Sequence, residues 1–186
     1  MARSSWEKLA VGAVAGCLAT VPMTLIMAAC YRRLPWWQRY SLPPKQIIGD
    51  LADAAGIDHR LDDNTKNVTT AVAHFAYGAC MGVPYAGIEK SLPKMPLATG
   101  VGYGLFVWLA NYLVGLPAAD FSAAATREPL RRIAMMIVAH VVWGGALGLI
   151  YEGSSMRRRF IWKHCEPEIP RGSHDLASLG GRHRVC

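Results

Sequence analysis

Four long apolar runs, separated by polar segments, dominate the pattern of hydrophobic and polar positions along the chain. They cover residues 9–30, 68–88, 96–119 and 133–152, and their interiors contain no Asp, Glu, Lys or Arg. Because about 20 apolar residues cross the hydrocarbon core of a bilayer, each run predicts a transmembrane helix. We therefore expect an all-α membrane protein whose four transmembrane helices form one domain, residues 1–152.

The apolar runs also contain an internal repeat. Residues 72–85 (VAHFAYGACMGVPY) and residues 138–151 (VAHVVWGGALGLIY) are identical at six of fourteen positions. The other two runs carry small residues at GxxxG spacing, Gly12 with Gly16 and Gly100 with Gly104, which suits close helix packing. This pattern predicts two parallel hairpin repeats, related by an axis along the membrane normal.

Each copy of the motif places a histidine, an aromatic side chain and a glycine on one helical face. The second and fourth spans run in the same direction, so the two histidines are predicted to lie in the same leaflet. Several roles remain open for them: hydrogen bonding to a neighbouring helix, axial ligation of haem b with glycine making room for the ring, a two-histidine transition-metal site, or binding of a lipid or small molecule. The candidate site residues are His74, Tyr77 and Gly78 in the first copy and His140, Trp143 and Gly144 in the second.

The polar segments have distinct characters. The first loop opens with Arg32, Arg33, Trp36 and Trp37, the residue types found at a membrane interface. The stretch KQIIGDLADAAGI that follows has an apolar face and predicts an amphipathic interfacial helix. Residues 153–186 are basic and lack apolar periodicity, so we expect a disordered tail.

Composition and charge agree with a membrane protein. Of the 186 residues 52% are hydrophobic and only 18% are charged, against about 25% in soluble domains. The net charge of +7 comes from bases beside the apolar runs and in the tail. Such basic flanks favour the lipid bilayer and its anionic lipids as partners over nucleic acid. The five cysteines show no zinc-binding spacing.

Motifs of catalysis are missing from the sequence, which contains no P-loop, dinucleotide fingerprint or evident nucleophile–base pair. The lack of charged groups within the spans also disfavours an ion-coupled transporter. We therefore expect a protein that is not an enzyme, an accessory or structural component that associates with itself or with a larger membrane complex. The alternatives are a haem-binding electron-transfer protein with His74 and His140 as axial ligands, and a small transporter.

Short motifs along the chain resemble a known family. They are LPPKQI at residues 42–47, AH with YG at 73–78, GYG at 102–104 and AH with WG at 139–144. Over residues 8–152 the chain resembles the YagU-like bacterial inner-membrane proteins. The resemblance implies a four-helix fold in a bacterial cytoplasmic membrane, and supplies no reaction or ligand. Three arginines at 157–159, directly after the last span, favour cytoplasmic termini.

Overall fold

The protein is helical throughout the described part of the chain. The computed structural model describes residues 4–40, 62–111 and 129–165, together with four single positions between 45 and 56. No strand occurs among these residues. The described residues contain four continuous α-helices, α1 (Ser5–Arg33), α2 (Asp63–Ile88), α3 (Pro96–Ala110) and α4 (Leu130–Cys165), and short 3-10 turns at Trp36–Gln38 and Glu89–Ser91.

Local sequence signals set the beginnings of the helices. The Ser4 hydroxyl accepts the Glu7 N–H at 3.2 Å at the start of α1, and α3 begins with a proline, whose missing N–H costs nothing there. At the start of α2, the Asp62 carboxylate accepts hydrogen bonds from the hydroxyl and the N–H of Thr65. These bonds stabilise the charged carboxylate and lower the pKa of Asp62, so the cap is fully formed at neutral pH.

Helices α1 and α2 pack as an antiparallel pair through glycine. A β-carbon added at Gly12 would collide with the carbonyl oxygen of Gly82, and one added at Gly16 would collide with that of Gly78. Backbones can approach this closely only where side chains are absent. The GxxxG spacing on α1 is therefore used within the chain.

Helices α3 and α4 form a second antiparallel pair of the same kind. A β-carbon on Gly100 would meet the carbonyl oxygen of Gly144, and one on Gly104 would meet that of His140. Gly148 lies in the same way against the carbonyl oxygen of Pro96. Both pairs are thus held by direct backbone contact.

Aromatic side chains fill the space between the two helix pairs. The ring centroids of Tyr85 and Tyr151 are 5.7 Å apart, and those of Tyr85 and Tyr103 are 5.2 Å apart. Trp143 continues the layer at 6.1 Å from Tyr103. The Tyr103 hydroxyl also donates to the Met81 carbonyl at 2.7 Å, which ties α3 to α2. These contacts join the two pairs into one four-helix arrangement.

The helix bounds differ from the predicted spans mainly at the ends. Helix α1 extends to both sides of residues 9–30, and α2 begins five residues before the predicted span. Helix α4 continues to Cys165, so the first part of the predicted tail is helical and does not lack regular structure. The predicted amphipathic helix, the last part of the third span and residues 166–186 lie largely or wholly outside the described residues.

Two of the helices are long and apolar enough to cross a membrane: Ser5–Arg33, and α4 over Leu130–Ser154. Helix α3 is apolar but shorter, with 15 described residues. Helix α2 has 26 residues, and its histidine, tyrosines, glycines and single proline make it less apolar than α1 and α4. Contacts group Met1–Glu152 as one compact unit and Gly153–Cys186 as another.

Candidate paired-histidine site

His140 is the enclosed member of the histidine pair. It lies on α4 with only 9% of its surface exposed, and its Nδ1 is 2.8 Å from the carbonyl oxygen of Met136 one turn earlier. A carbonyl oxygen can only accept, so Nδ1 carries the proton in the neutral ring. The lone pair of His140 is therefore on Nε2.

His74 occupies the corresponding position on α2 but differs in its hydrogen bonding. Its Nε2 is buried and has no hydrogen-bond partner among the described residues. Phe75 meets the ring edge-on, with centroids 6.3 Å apart. His74 precedes Tyr85 by eleven residues on α2 as His140 precedes Tyr151 on α4, and the two tyrosine rings are 5.7 Å apart. The two predicted histidines therefore lie at matching depth on neighbouring helices.

The aromatic residues that follow the histidines have different surroundings. Trp143 is 3% exposed and donates from Nε1 to the Gly16 carbonyl at 3.2 Å. Tyr77 is 43% exposed and donates from its hydroxyl to Asn111 Oδ1 at 2.8 Å. The first copy is thus more open than the second on the side where α2 meets α3.

The space beside each of the two candidate glycines is filled by a neighbouring helix. A β-carbon on Gly78 would collide with Thr20 Oγ1, and one on Gly144 would collide with the Gly100 carbonyl. These glycines therefore provide helix contact and not an open cleft for a haem ring. Ligation of haem or metal by His74 and His140 stays a prediction. Among the described residues, no group of three or more His, Cys, Asp or Glu side chains could hold a metal ion.

Sequence patterns missed one residue that joins the helix ends beside the first loop. Arg132, predicted to lie in a polar connector, is 2% exposed. Its Nη1 donates to the carbonyl oxygens of Gln38 and Tyr40 at 3.0 and 3.1 Å, and its guanidinium lies 3.6 Å from the centre of the Tyr40 ring. Nothing in the local sequence distinguishes it from the exposed Arg131, because its partners lie more than ninety positions away.

These features define an all-helical protein whose helices pack against each other at glycine residues. Two of its helices are suited to crossing a membrane. Residues 33–148 match the family described as "Protein of unknown function (DUF1440)", and the chain belongs to this family. The match begins at the last residue of α1 and ends within α4. No curated protein and no solved structure matches the chain. The narrower resemblance to YagU-like proteins stays a prediction.

Proposed function

We propose that this is a small integral membrane protein with four transmembrane helices, built as two hairpin repeats, in a bacterial cytoplasmic membrane with both termini cytoplasmic. The observation that carries the proposal is the placement of large and small apolar side chains. Small residues, tyrosines and methionines make up most of the described interior, together with Trp143 and Leu147, while many leucine, valine and phenylalanine side chains face outward. Leu18, Leu25, Phe106 and Leu149 are among the outward-facing residues, each at least 50% exposed.

Such an arrangement is costly in water and favourable in lipid. Soluble monomers rarely expose continuous apolar surface, whereas helices in a bilayer associate through small residues and leave large ones to the lipid. Exposed tryptophans support the same orientation: Trp6 lies at one end of α1, and Trp36 and Trp37 follow the other end. The 29 residues of α1 extend about 43 Å at 1.5 Å per residue, comparable with a bilayer of about 40–45 Å including its interfaces.

Equivalent contacts in the two helix pairs support the hairpin repeat. Gly16 lies against Gly78 in the first pair as Gly100 lies against Gly144 in the second. Gly82 lies against the Gly12 carbonyl as Gly148 lies against that of Pro96. The GxxxG spacing alone would align Gly12 with Gly100. The contacts instead make Gly16, one helical turn later, the counterpart of Gly100.

A contact between equivalent residues supports a two-fold relation between the repeats. Tyr85 meets Tyr151 with ring centroids 5.7 Å apart, and these residues occupy matching positions of the two copies. In two-fold symmetry a residue contacts its own equivalent only near the axis. An axis running between α2 and α4 along the bundle satisfies this contact.

For the activity, we propose a non-enzymatic accessory or structural component that associates with itself or with a larger membrane complex. The glycine faces of all four helices are used within the chain, so association would use the outer apolar faces. Crosslinking in bacterial membranes, followed by native mass measurement in mild detergent, tests this. We expect an assembly larger than one chain, and a monodisperse single chain that crosslinks to nothing would contradict the accessory role.

Lysine substitution of an outward-facing residue tests the membrane location. Leu18 lies near the middle of α1 and is 50% exposed. On a water-facing surface Leu18→Lys would change stability by less than about 0.5 kcal/mol, but at the centre of a transmembrane helix lysine costs about 2.5–3.5 kcal/mol. Because α1 then inserts less readily, we expect less full-length protein in the carbonate-resistant membrane fraction than for the wild type.

The matched control is Trp6→Lys, at an exposed position in the first turn of the same helix. A lysine there reaches the interface and should leave extraction unchanged. Release of the wild-type protein by carbonate, or equal behaviour of the two variants, would argue against a transmembrane α1.

A further inference from the structure

We propose that His74, His140 and Met23 form an interior site for one monovalent copper ion. The first support is the buried Nε2 of His74, which lacks a partner among the described residues. A buried polar atom without a hydrogen bond costs about 1–3 kcal/mol. A ligand on this nitrogen would remove that cost.

The second support is the proton position on His140. Its Nδ1–H donates to the backbone carbonyl of Met136, which leaves the Nε2 lone pair available. Histidines that bind metals usually donate their other ring N–H to a carbonyl or carboxylate in this way, which fixes the ring and raises its basicity. His140 thus already has the outer partner of a metal ligand.

The third support is the placement of thioether side chains. The contacts of Gly12 with Gly82 and of Gly16 with Gly78 place Thr20 level with His74. Met23 follows three residues later, about 4.5 Å farther along the axis at 1.5 Å per residue, and is buried. Met27, one turn beyond, is also buried, and Met136 is partly buried against the same core. Among these sulfur donors, Met23 therefore lies closest in depth to the imidazoles.

The charge of the interior selects the oxidation state of the ion. The acidic side chains described in α1, α2 and α4 lie far from the histidines along the helix axes: Glu7 and Asp63 are in the first turns of α1 and α2, and Glu152 follows His140 by twelve residues on α4. Neutral ligands alone would have to stabilise the ion, and the cost of burying an ion rises with the square of its charge. A +1 ion is therefore much less costly here than Zn²⁺ or Fe²⁺. Among monovalent ions, thioether and imidazole donors favour Cu(I), since alkali ions prefer oxygen.

This inference goes beyond the proposed function and does not depend on it. The interior of the bundle excludes bulk water whether its surroundings are lipid or protein. A protein that fails to bind copper could still resist carbonate extraction, and a protein released by carbonate could still bind copper.

The experiment uses the full chain in detergent under anaerobic, reducing conditions, with Cu(I) supplied in competition with the chromophoric chelator bicinchoninate. We expect one tightly bound Cu(I) per chain. His74→Gln and His140→Gln should each weaken binding by about 100-fold or more, since even an outer-shell partner is worth about 10–100-fold. Met23→Leu, which keeps the core volume, should weaken binding and remove copper–sulfur scattering from the X-ray absorption spectrum.

The matched control is Met95→Leu, because Met95 is exposed outside the core, and it should bind like the wild type. Elution volume and helical circular dichroism identify variants that have lost the fold, and the comparison is made among those that keep it. Four results would overturn the proposal: no Cu(I) retained against the chelator, wild-type Cu(I) affinity in the two histidine variants, Zn²⁺ bound as tightly as Cu(I), or a purified protein with a Soret band.

Discussion

Replacing Gly16 by leucine is expected to separate α1 from α2 and to prevent stable folding. A β-carbon at this position would already overlap the carbonyl oxygen of Gly78 and approach Gly82 to 3.0 Å. Because these neighbours are backbone atoms, no side-chain rotation can relieve the overlap. Overpacking of a well-packed core typically costs about 1–3 kcal/mol, and displacement of a helix backbone should exceed about 3 kcal/mol. Thermal unfolding in detergent, followed by circular dichroism, measures the effect.

The matched control for Gly16→Leu is Gly102→Leu on α3. Both glycines lie inside helices, but a β-carbon at Gly102 would meet no atom within 4 Å. The control should therefore retain or slightly raise stability, since leucine favours helix over glycine by up to about 1 kcal/mol. Similar transition temperatures for the two variants would show that the close approach of α1 and α2 is not required for folding.

Replacing Trp143 by alanine is expected to destabilise the protein far more than the same change at the equivalent position, Tyr77. Trp143 is buried in the aromatic layer beside Tyr103, and truncation of a buried tryptophan costs about 3–5 kcal/mol. Tyr77 is 43% exposed, so Tyr77→Ala should cost about 1–2 kcal/mol, mainly through its hydrogen bond to Asn111. Denaturation with sodium dodecyl sulfate in mixed micelles compares the two free energies of unfolding.

Trp143→Phe separates the packing of the ring from its hydrogen bond. The Gly16 carbonyl would lose the indole N–H but would keep the Thr20 hydroxyl, which donates to it at 2.9 Å. No acceptor is left unsatisfied, so the phenylalanine variant should lose no more than about 1.5 kcal/mol. Equal costs for Trp143→Ala and Tyr77→Ala would mean that the two repeats bury their aromatic residues alike, contrary to the structure.

Periodicity predicted the existence and approximate limits of the helices, because apolar runs and capping residues act over a few neighbouring positions. It also predicted His74 and His140 as matching positions of a repeated motif. Periodicity could not predict which residues contact each other. The aromatic layer joins Tyr85, Tyr103 and Tyr151 from three helices, and Arg132 binds a turn far away in sequence. A local pattern contains no information on which face of a distant helix will pack against a given residue.

The sequence by itself determined that the chain is helical and apolar, that small residues recur at helix-packing intervals, and that a histidine motif occurs twice. Only the tertiary structure decided that the glycines contact helix backbones within the chain, and that Gly16 lies against Gly78 as Gly100 lies against Gly144. It also decided that His140 is hydrogen bonded while the buried Nε2 of His74 has no described partner. Spacing places residues on one face of a helix, but the rotation and register of the neighbouring helix decide what that face meets.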